Sequence, residues 1–378
     1  MPPDGREEMK GLRSKFLVGL CGLAVLSVSS GRPSGYPEEY PPGIYAELTT
    51  NKGLIVLDLQ SQKTPMTVAN FVGLAEGTID NTAVQRGNPY FDGTQFHRVV
   101  PGHVIQAGMP AGTSLEGPGY AFPNEIDPEL DHGRAGMLGM ANSGPHTNGS
   151  QFYITLADRS YLDGDYTVFG RVLSGMEVVD SIVQGDEILS VKIVRVGEAA
   201  EKFRPTTESF TRLMEEARVK VAEAEAVKKA EEEDIIIKSW PQAIALENGL
   251  RYIVLRDGFG GCPGPGTKLK VAYTGKSLNG TVFRSTADEG MPDFLDAAEA
   301  FDYDVGMSRI NPGLDDILLR MKVGEKRLVI VPSALGYGTS GFYAKEKKGR
   351  KRFHVSPNTA LVYEIEILDI VLTKDSEN

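Results

Sequence analysis

Two stretches of the sequence set polar side chains among apolar ones in a pattern that could do chemistry. One is Phe96-His97-Arg98-Val99-Val100-Pro101-Gly102-His103-Val104-Ile105-Gln106-Ala107-Gly108. The other is Met140-Ala141-Asn142-Ser143-Gly144-Pro145-His146-Thr147-Asn148-Gly149-Ser150-Gln151-Phe152-Tyr153. Each mixes apolar strand residues with a few polar groups that can converge across a barrel face. The combination is neither an acid–base pair nor a nucleophile triad. Gly144-Pro145 and Asn148-Gly149 are turn signals rather than a phosphate loop, because no Gly-Lys-Ser/Thr follows. His97 and His146 read as structural hydrogen-bonders, His132 as solvated before its Gly-Arg turn, and Asn148 and Gln151 as turn and barrel architecture.

The elements that must hold these residues fall into three segments. From about Ile44 to Val196 the chain is β-rich, with many glycine turns. Asn51-Lys52-Gly53 joins Tyr45–Thr49 to Leu54–Leu59 as a hairpin. One helix follows, capped by Thr64, with Pro65 at its first position, Val68, Phe71, Val72 and Ala75 on one face, and Gly77 at its end. Between Thr207 and Lys238 the composition turns to Glu, Lys, Arg and Ala. Leu213, Ala217, Val221 and Ala224 trace a thin apolar stripe, which reads as a solvent-exposed, semi-rigid helical linker, with a coiled-coil dimer as the alternative. From Leu246 to Leu372 a second β-rich region surrounds one helix, capped by Asn311, led by Pro312, faced by Leu314, Ile317, Leu318 and Met321, and stopped by Gly324. That is an α+β arrangement.

The chain is 378 residues long, with 41% hydrophobic and 24% charged residues, the composition of a globular protein of two or three domains at roughly 150 residues each. A net charge of -11 argues against a nucleic-acid binder. Two cysteines and five histidines give neither a disulfide scaffold nor zinc-ligand spacing. No apolar run reaches the ~20 residues of a transmembrane span. Phe16–Val28, preceded by Lys10, Arg13 and Lys15 and followed by Ser29, Ser30 and Gly31, has the order of a secretory signal peptide over 1–30. A Pro/Gly-rich spacer occupies 31–40. The expected location is therefore extracytoplasmic, with membrane association through a lipidated Cys21 as the weaker alternative.

The stretch from about Pro41 to Val196 closely resembles a cyclophilin, a peptidyl-prolyl cis–trans isomerase of bacterial type. Tyr161-Leu162-Asp163-Gly164 and Val168-Phe169-Gly170 extend the resemblance beyond the two motifs. It implies a mainly β domain over 41–198, a closed eight-stranded antiparallel barrel capped by two helices, with its site on the outer face. By the same resemblance Arg98 is the catalytic arginine. His103, Val104, Tyr153 and Leu162 line a proline pocket, and Gln106 and the backbone of Asn142 hold the peptide with Ala141 and Ser143 beside them. His103, Tyr161 and Tyr166 depart from the usual phenylalanine, tryptophan and histidine. The tyrosines keep an aromatic wall, and Tyr161 weakens any cyclosporin-type ligand.

Behind the charged linker, 199–240, the segment 241–378 resembles an FKBP domain, a second isomerase family with an antiparallel sheet wrapped on one short helix. Val271-Ala272-Tyr273-Thr274-Gly275, Met321-Lys322-Val323-Gly324-Glu325-Lys326, Leu335-Gly336-Tyr337-Gly338 and Pro357–Leu368 carry the likeness. The matching pocket positions are Tyr273, Phe283, Phe301, Ile310, Leu314, Tyr337 and Tyr363. Arg284 stands for the usual aspartate, Leu314 for a tryptophan, and Asn311 for an apolar residue. Losing the indole removes aromatic surface worth about 1–3 kcal/mol of burial, so macrolide binding is expected to be weak or absent. The basic insertion Lys345–Arg352 reads as a solvated loop, with a docking patch as the alternative. Together the resemblances imply a dual-family immunophilin, needing no cofactor or metal, that acts on proline-containing unfolded or nascent polypeptides. A proline-binding chaperone or scaffold is the alternative.

Overall fold

The computed structural model describes residues 40–111, 117–287, 301–306, 311–342 and 355–371. The expected signal peptide at 1–30, most of the expected spacer, Ile310, the side chain of Phe301 and the basic insertion lie outside the described residues.

The first domain is built from β1 (Gly43–Thr50), β2 (Gly53–Leu59), α1 (Pro65–Ala75), β3 (Thr94–Gln95), β4 (Arg98–Val100), β5 (Val104–Ala107), β6 (Met137–Met140), β7 (Phe152–Thr155), β8 (Val168–Ser174), α2 (Met176–Ser181) and β9 (Glu187–Val196). The nine strands pair antiparallel in the order β3-β9-β1-β2-β8-β6-β7-β5-β4. Because only Phe96 and His97 separate β3 from β4, the ladder begins and ends on one bent segment. The sheet thereby closes on itself, the solution that removes both exposed edges. The hairpin falls where Asn51-Lys52-Gly53 puts it, with Thr50 opposite Gly53.

The barrel interior is aromatic. Phe71 of α1 stacks on Phe91 at 4.9 Å and meets the edge of Phe152 at 5.4 Å. One apolar stripe on α1 is too narrow a description, for every residue from Met66 to Ala75 is buried. The barrel covers one side of α1, and a later helix packs against it as well. The capping expectation is also corrected. Thr64 occupies the N-cap, but its hydroxyl donates to the Gln60 carbonyl at 3.1 Å. The free N–H groups of the first turn go instead to the Glu125 carboxylate, which accepts from Met66 at 3.1 Å and Thr67 at 2.8 Å. An anion at a helix N-terminus is favoured by the helix dipole.

After a short α3 (Glu198–Lys202), the charged segment forms one continuous helix, α4 (Thr207–Ser239), opened by a capping box between Thr206 and Ser209. The expectation of a solvent-exposed spacer fails at both ends of it. Phe210 is 3% exposed in the barrel-domain core, between Tyr120 at 5.4 Å and Phe122 at 5.7 Å, with Leu213, Met214 and Ala217 packed against the same core. At the far end Ile236 is buried with Ile330, Ala360 and Val362. There Glu233 grips Arg251 with both carboxylate oxygens, at 2.5 and 2.9 Å.

The second domain comprises β10 (Ile244–Ala245), β11 (Arg251–Arg256), β12 (Lys268–Ser277), β13 (Val282–Ser285), β14 (Phe301–Asp304), α5 (Pro312–Leu318), β15 (Lys326–Val331) and β16 (Leu361–Val371). Its antiparallel sheet runs β10-β11-β15-β16-β12-β13, with β14 also paired to β12. The helix lays Leu314, Ile317 and Leu318 into a core shared with Leu269, Val271, Val329 and Ile365. Asn311 caps it as expected, its side chain accepting from the Leu314 N–H. The helix nevertheless stops at Leu318. Gly324, at φ 78°, belongs to the turn entering β15, where its N–H meets the Ile367 carbonyl at 2.7 Å.

Candidate active site

The period of two along a strand sorts the first motif into two faces. On β5, Ile105 and Ala107 join the barrel core, while Val104 belongs to a separate buried cluster outside it. Register extends the outer face across the sheet. Arg98 on β4 lies opposite Gln106 on β5, Gln106 opposite Tyr153 on β7, and Tyr153 opposite Gly139 on β6. Gly139 is required there, because a Cβ at that position would sit 2.5 Å from the Tyr153 ring and hydroxyl.

Arg98 is exposed and donates through Nη1 to Gln106 Oε1 at 3.2 Å. Gln106 in turn donates to Gln151 Oε1 at 2.8 Å. Gln151, read from sequence as architecture, is therefore part of the chain of amides that orients the arginine. His97 lies next to these groups. Burial, outweighing a hydrogen bond to Gln151, pushes its imidazole below the ordinary value.

Beside this polar row, Val104, Tyr153, Leu162 and Tyr166 form a compact apolar cluster with Ala141 packed on it. Tyr166 meets Tyr153 edge-on at 6.0 Å. His103 is half-buried and stacks on Tyr161 at 6.3 Å, with Tyr161 38% exposed. Gln106 also lines a cleft of about 740 Å3, with Ala141, Asn142, Ser143, Gln151 and Tyr120 among others. Asn142 is held by donating to the Asp165 carbonyl at 3.2 Å and accepting from the Gly144 N–H at 3.3 Å. The arrangement sets a guanidinium, through Gln106, on the same outer face as a buried apolar cluster and a polar cleft.

Two histidine readings meet different outcomes. His146 is structural, its Nδ1 accepting from the Asn124 N–H at 3.2 Å. His132 is not solvated: its side chain is 0% exposed, with Nδ1 2.6 Å from Asp163 Oδ1 and Nε2 2.8 Å from the Tyr153 hydroxyl. Nothing near His132 in sequence signals this, since both partners arrive from later strands and turns.

In the second domain Tyr273, Phe283, Leu314, Tyr337 and Tyr363 converge in one cluster. Phe283 meets Tyr337 at 6.0 Å and Tyr363 at 5.8 Å, both edge-on. The backbone of Phe301 pairs with Val271. Two departures from the family pattern enter this pocket as polar groups. Asn311 donates to the Tyr363 hydroxyl at 2.7 Å, and Arg284 donates to the Tyr337 hydroxyl at 3.2 Å while lying 5.0 Å over the ring of Phe342. Phe342, stacked on Tyr337 at 5.0 Å, is a pocket neighbour that the sequence reading missed. Burial holds the Tyr363 phenol well above its ordinary pKa, so it remains a proton donor.

Residues 45–198 match the family model of the cyclophilin type peptidyl-prolyl cis-trans isomerases, and residues 261–368 that of the FKBP-type peptidyl-prolyl cis-trans isomerases. The chain is 46% identical over 143 residues to peptidyl-prolyl cis-trans isomerase A of Mycobacterium tuberculosis, covering 36% of this chain and 79% of that protein. It is 44% identical over 145 residues to peptidyl-prolyl cis-trans isomerase B of Streptomyces anulatus, covering 37% and 83%. Among solved structures, a cyclophilin type isomerase of Cryptosporidium parvum is 30% identical, with 40% of this chain and 98% of that one covered and a TM-score of 0.36. The chain belongs to the cyclophilin-type peptidyl-prolyl cis–trans isomerases and carries a second, FKBP-type isomerase domain behind its long helix.

Proposed function

We propose that Arg98 is the catalytic group of this isomerase and that the cluster of Val104, Tyr153, Leu162 and Tyr166 receives the proline ring. Rotation about an X–Pro bond breaks amide resonance against a barrier of roughly 18–20 kcal/mol. No covalent step is needed. In the twisted state the prolyl nitrogen regains its lone pair and accepts a hydrogen bond, so a fixed donor beside an apolar pocket favours that state over both planar ones. Lowering the barrier by ~6 kcal/mol accelerates exchange roughly 10⁴-fold. The observation that carries this reading is the Arg98–Gln106–Gln151 chain, which holds the guanidinium on the strand row that pairs Gln106 with Tyr153 of the apolar cluster. His103 and Tyr161 form the rim of the same recess, and Gln106, Ala141, Asn142 and Ser143 take the peptide on the cleft side. A cyclosporin-type ligand would meet Tyr161 there with less ring surface than a tryptophan offers.

For the second domain we favour binding over turnover. Asn311 and Arg284 bring hydrogen-bonded polar groups into a pocket whose family members work by desolvation, and Leu314 offers it no indole. The clients would be proline-containing segments of exported proteins, the leader at 1–30 directing the chain to them. With a proline-binding site on each side of α4, about 50 Å long at 33 residues, the second domain can retain a client by effective concentration. NMR exchange on a short X–Pro peptide tests the assignment. Arg98→Ala is expected to abolish nearly all isomerisation while leaving the fold intact. Activity that survives Arg98→Ala overturns it and moves catalysis to the second domain. Suppression of client aggregation that survives Arg98→Ala marks a separate chaperone role.

A further inference from the structure

The buried histidine behind the apolar cluster is not used by the chemistry above, and its bonding is complete on both sides. Asp163 Oδ1 receives the backbone N–H of His132 at 2.8 Å as well as its Nδ1 at 2.6 Å. A carboxylate oxygen can only accept, so Nδ1 carries the proton. Burial pushes the imidazole below its ordinary pKa, against the pull of Asp163 and Asp131. The ring is therefore neutral and its Nε2 is a bare acceptor, which fixes the direction of the next bond: the Tyr153 hydroxyl donates to Nε2 at 2.8 Å. The two rings lie nearly parallel, 18° apart at 6.0 Å, and the Arg159 N–H holds the His132 carbonyl at 2.8 Å.

The consequence falls on the recess. Tyr153 is 4% exposed and is, with Tyr166, one of the two aromatic rings of the cluster. A tyrosine hydroxyl left without a partner in such a place is costly, and one turned into the recess would offer polarity to an apolar ring. Gly139 leaves room for the phenol to lie across β6, and His132 receives its hydroxyl on the buried side. The carbon face of Tyr153 is left toward Val104 and Leu162.

We propose that His132, oriented by Asp163, is a positioning residue for the proline recess: it clamps the Tyr153 ring and draws its hydroxyl out of the apolar lining. The proposal rests on the reading that this cluster receives the proline. Since the clamp shapes the pocket wall and does not touch the rotating bond, it acts on ground state and transition state alike. Its loss raises KM with little change in kcat.

The test is NMR exchange of an X–Pro peptide at graded concentrations, which separates KM from kcat. His132→Asn keeps a donor toward Asp163 but loses the acceptor at Nε2. His132→Gln places an amide oxygen near that position. His132→Asn is expected to raise KM about 5–10-fold, the worth of one buried hydrogen bond, with kcat within about 2-fold. His132→Gln is expected to recover most of the affinity. In a Tyr153→Phe background, His132→Asn should add less than about 2-fold, because the hydroxyl it serves is gone. An unchanged KM in a folded His132→Asn protein, or effects that multiply in the double variant, overturns the proposal. If the variants do not fold, the imidazole nitrogen shifts of the wild-type protein decide: the Nδ1–H tautomer supports the clamp, and an Nε2–H tautomer or an imidazolium refutes it. A wild-type protein without exchange activity would sink the isomerase reading alone, since the tautomer and the peptide Kd still judge the clamp.

Discussion

Phe210 puts the role of α4 to a quantitative test. The side chain is 3% exposed and contacts Tyr120 and the edge of Phe122, both of the barrel domain. Truncating a buried phenylalanine to alanine costs about 3–5 kcal/mol through lost transfer energy and the cavity left behind. Phe210 enters from the N-terminal turns of a helix that can settle by a fraction of an ångström, so the lower end, about 3 kcal/mol, is expected. At roughly 2–4 °C per kcal/mol for a domain of this size, the barrel should melt roughly 6–12 °C lower. If α4 were a spacer, the same change would be a surface substitution within about 0.5 kcal/mol. The assay must separate the domains, because a two-domain chain has no single unfolding free energy. The one tryptophan, Trp240, packs against the cluster of Ile236, Ile330, Ala360 and Val362. Its fluorescence therefore follows the second domain, while hydrogen exchange of β5 and β7 amides follows the first. Phe210→Ala should lower protection of the barrel amides and leave the Trp240 transition in place. Barrel protection unchanged within 0.5 kcal/mol would refute the argument that the helix is part of the first domain's core.

Three further outcomes follow from single contacts. Burial holds the Glu125 carboxyl above its ordinary value of 4.5 despite its bonds to Met66 and Thr67. The folded state thus keeps this proton to a higher pH than the unfolded chain does, and the group's contribution to stability falls as pH rises from about 4.5 through the folded value, then levels off. Glu125→Gln should remove that slope in urea unfolding of the first domain, and an identical slope in the variant contradicts the assignment. Gly139→Ala, whose Cβ would press on the Tyr153 ring, should cost about 1–3 kcal/mol and raise the KM for X–Pro peptides; a normal KM would mean that Tyr153 does not form the recess wall. In the second domain Glu325 neutralises Arg327 at 2.5 Å, with both side chains under 10% exposed and the guanidinium 4.3 Å over Tyr252. Glu325→Ala strands a buried charge and should destabilise that domain by about 3–5 kcal/mol, read from Trp240 fluorescence; a shift below 1 kcal/mol would show that the pair is screened.

What the sequence discloses about this molecule follows from how far each signal reaches along the chain. The apolar residues of Val104-Ile105-Gln106-Ala107 mark a strand locally, and its period of two then sends Ile105 and Ala107 to the core and Val104 and Gln106 to the outer face. The hairpin at Asn51-Lys52-Gly53 and the Asn311 cap are equally local. Thr64 reads as a cap in local terms because it precedes Pro65, whereas the group that satisfies the first turn is Glu125, 58 residues from Thr67. His132 is a similar case. Between Asp131 and Gly133 it has the surroundings of a solvated turn, while the acceptor and donor that bury it stand 31 and 21 residues away. Phe210 is the intermediate case. As an aromatic residue near the start of a charged helix it breaks the composition of its own segment, a local anomaly that marks a docking point without saying against what. Polar residues buried by distant partners carry no periodicity and no composition of their own. In this chain they include the ones that hold the recess in shape, so the Tyr153 wall and its clamp became visible only once β6, β7 and the Asp163 turn were set side by side.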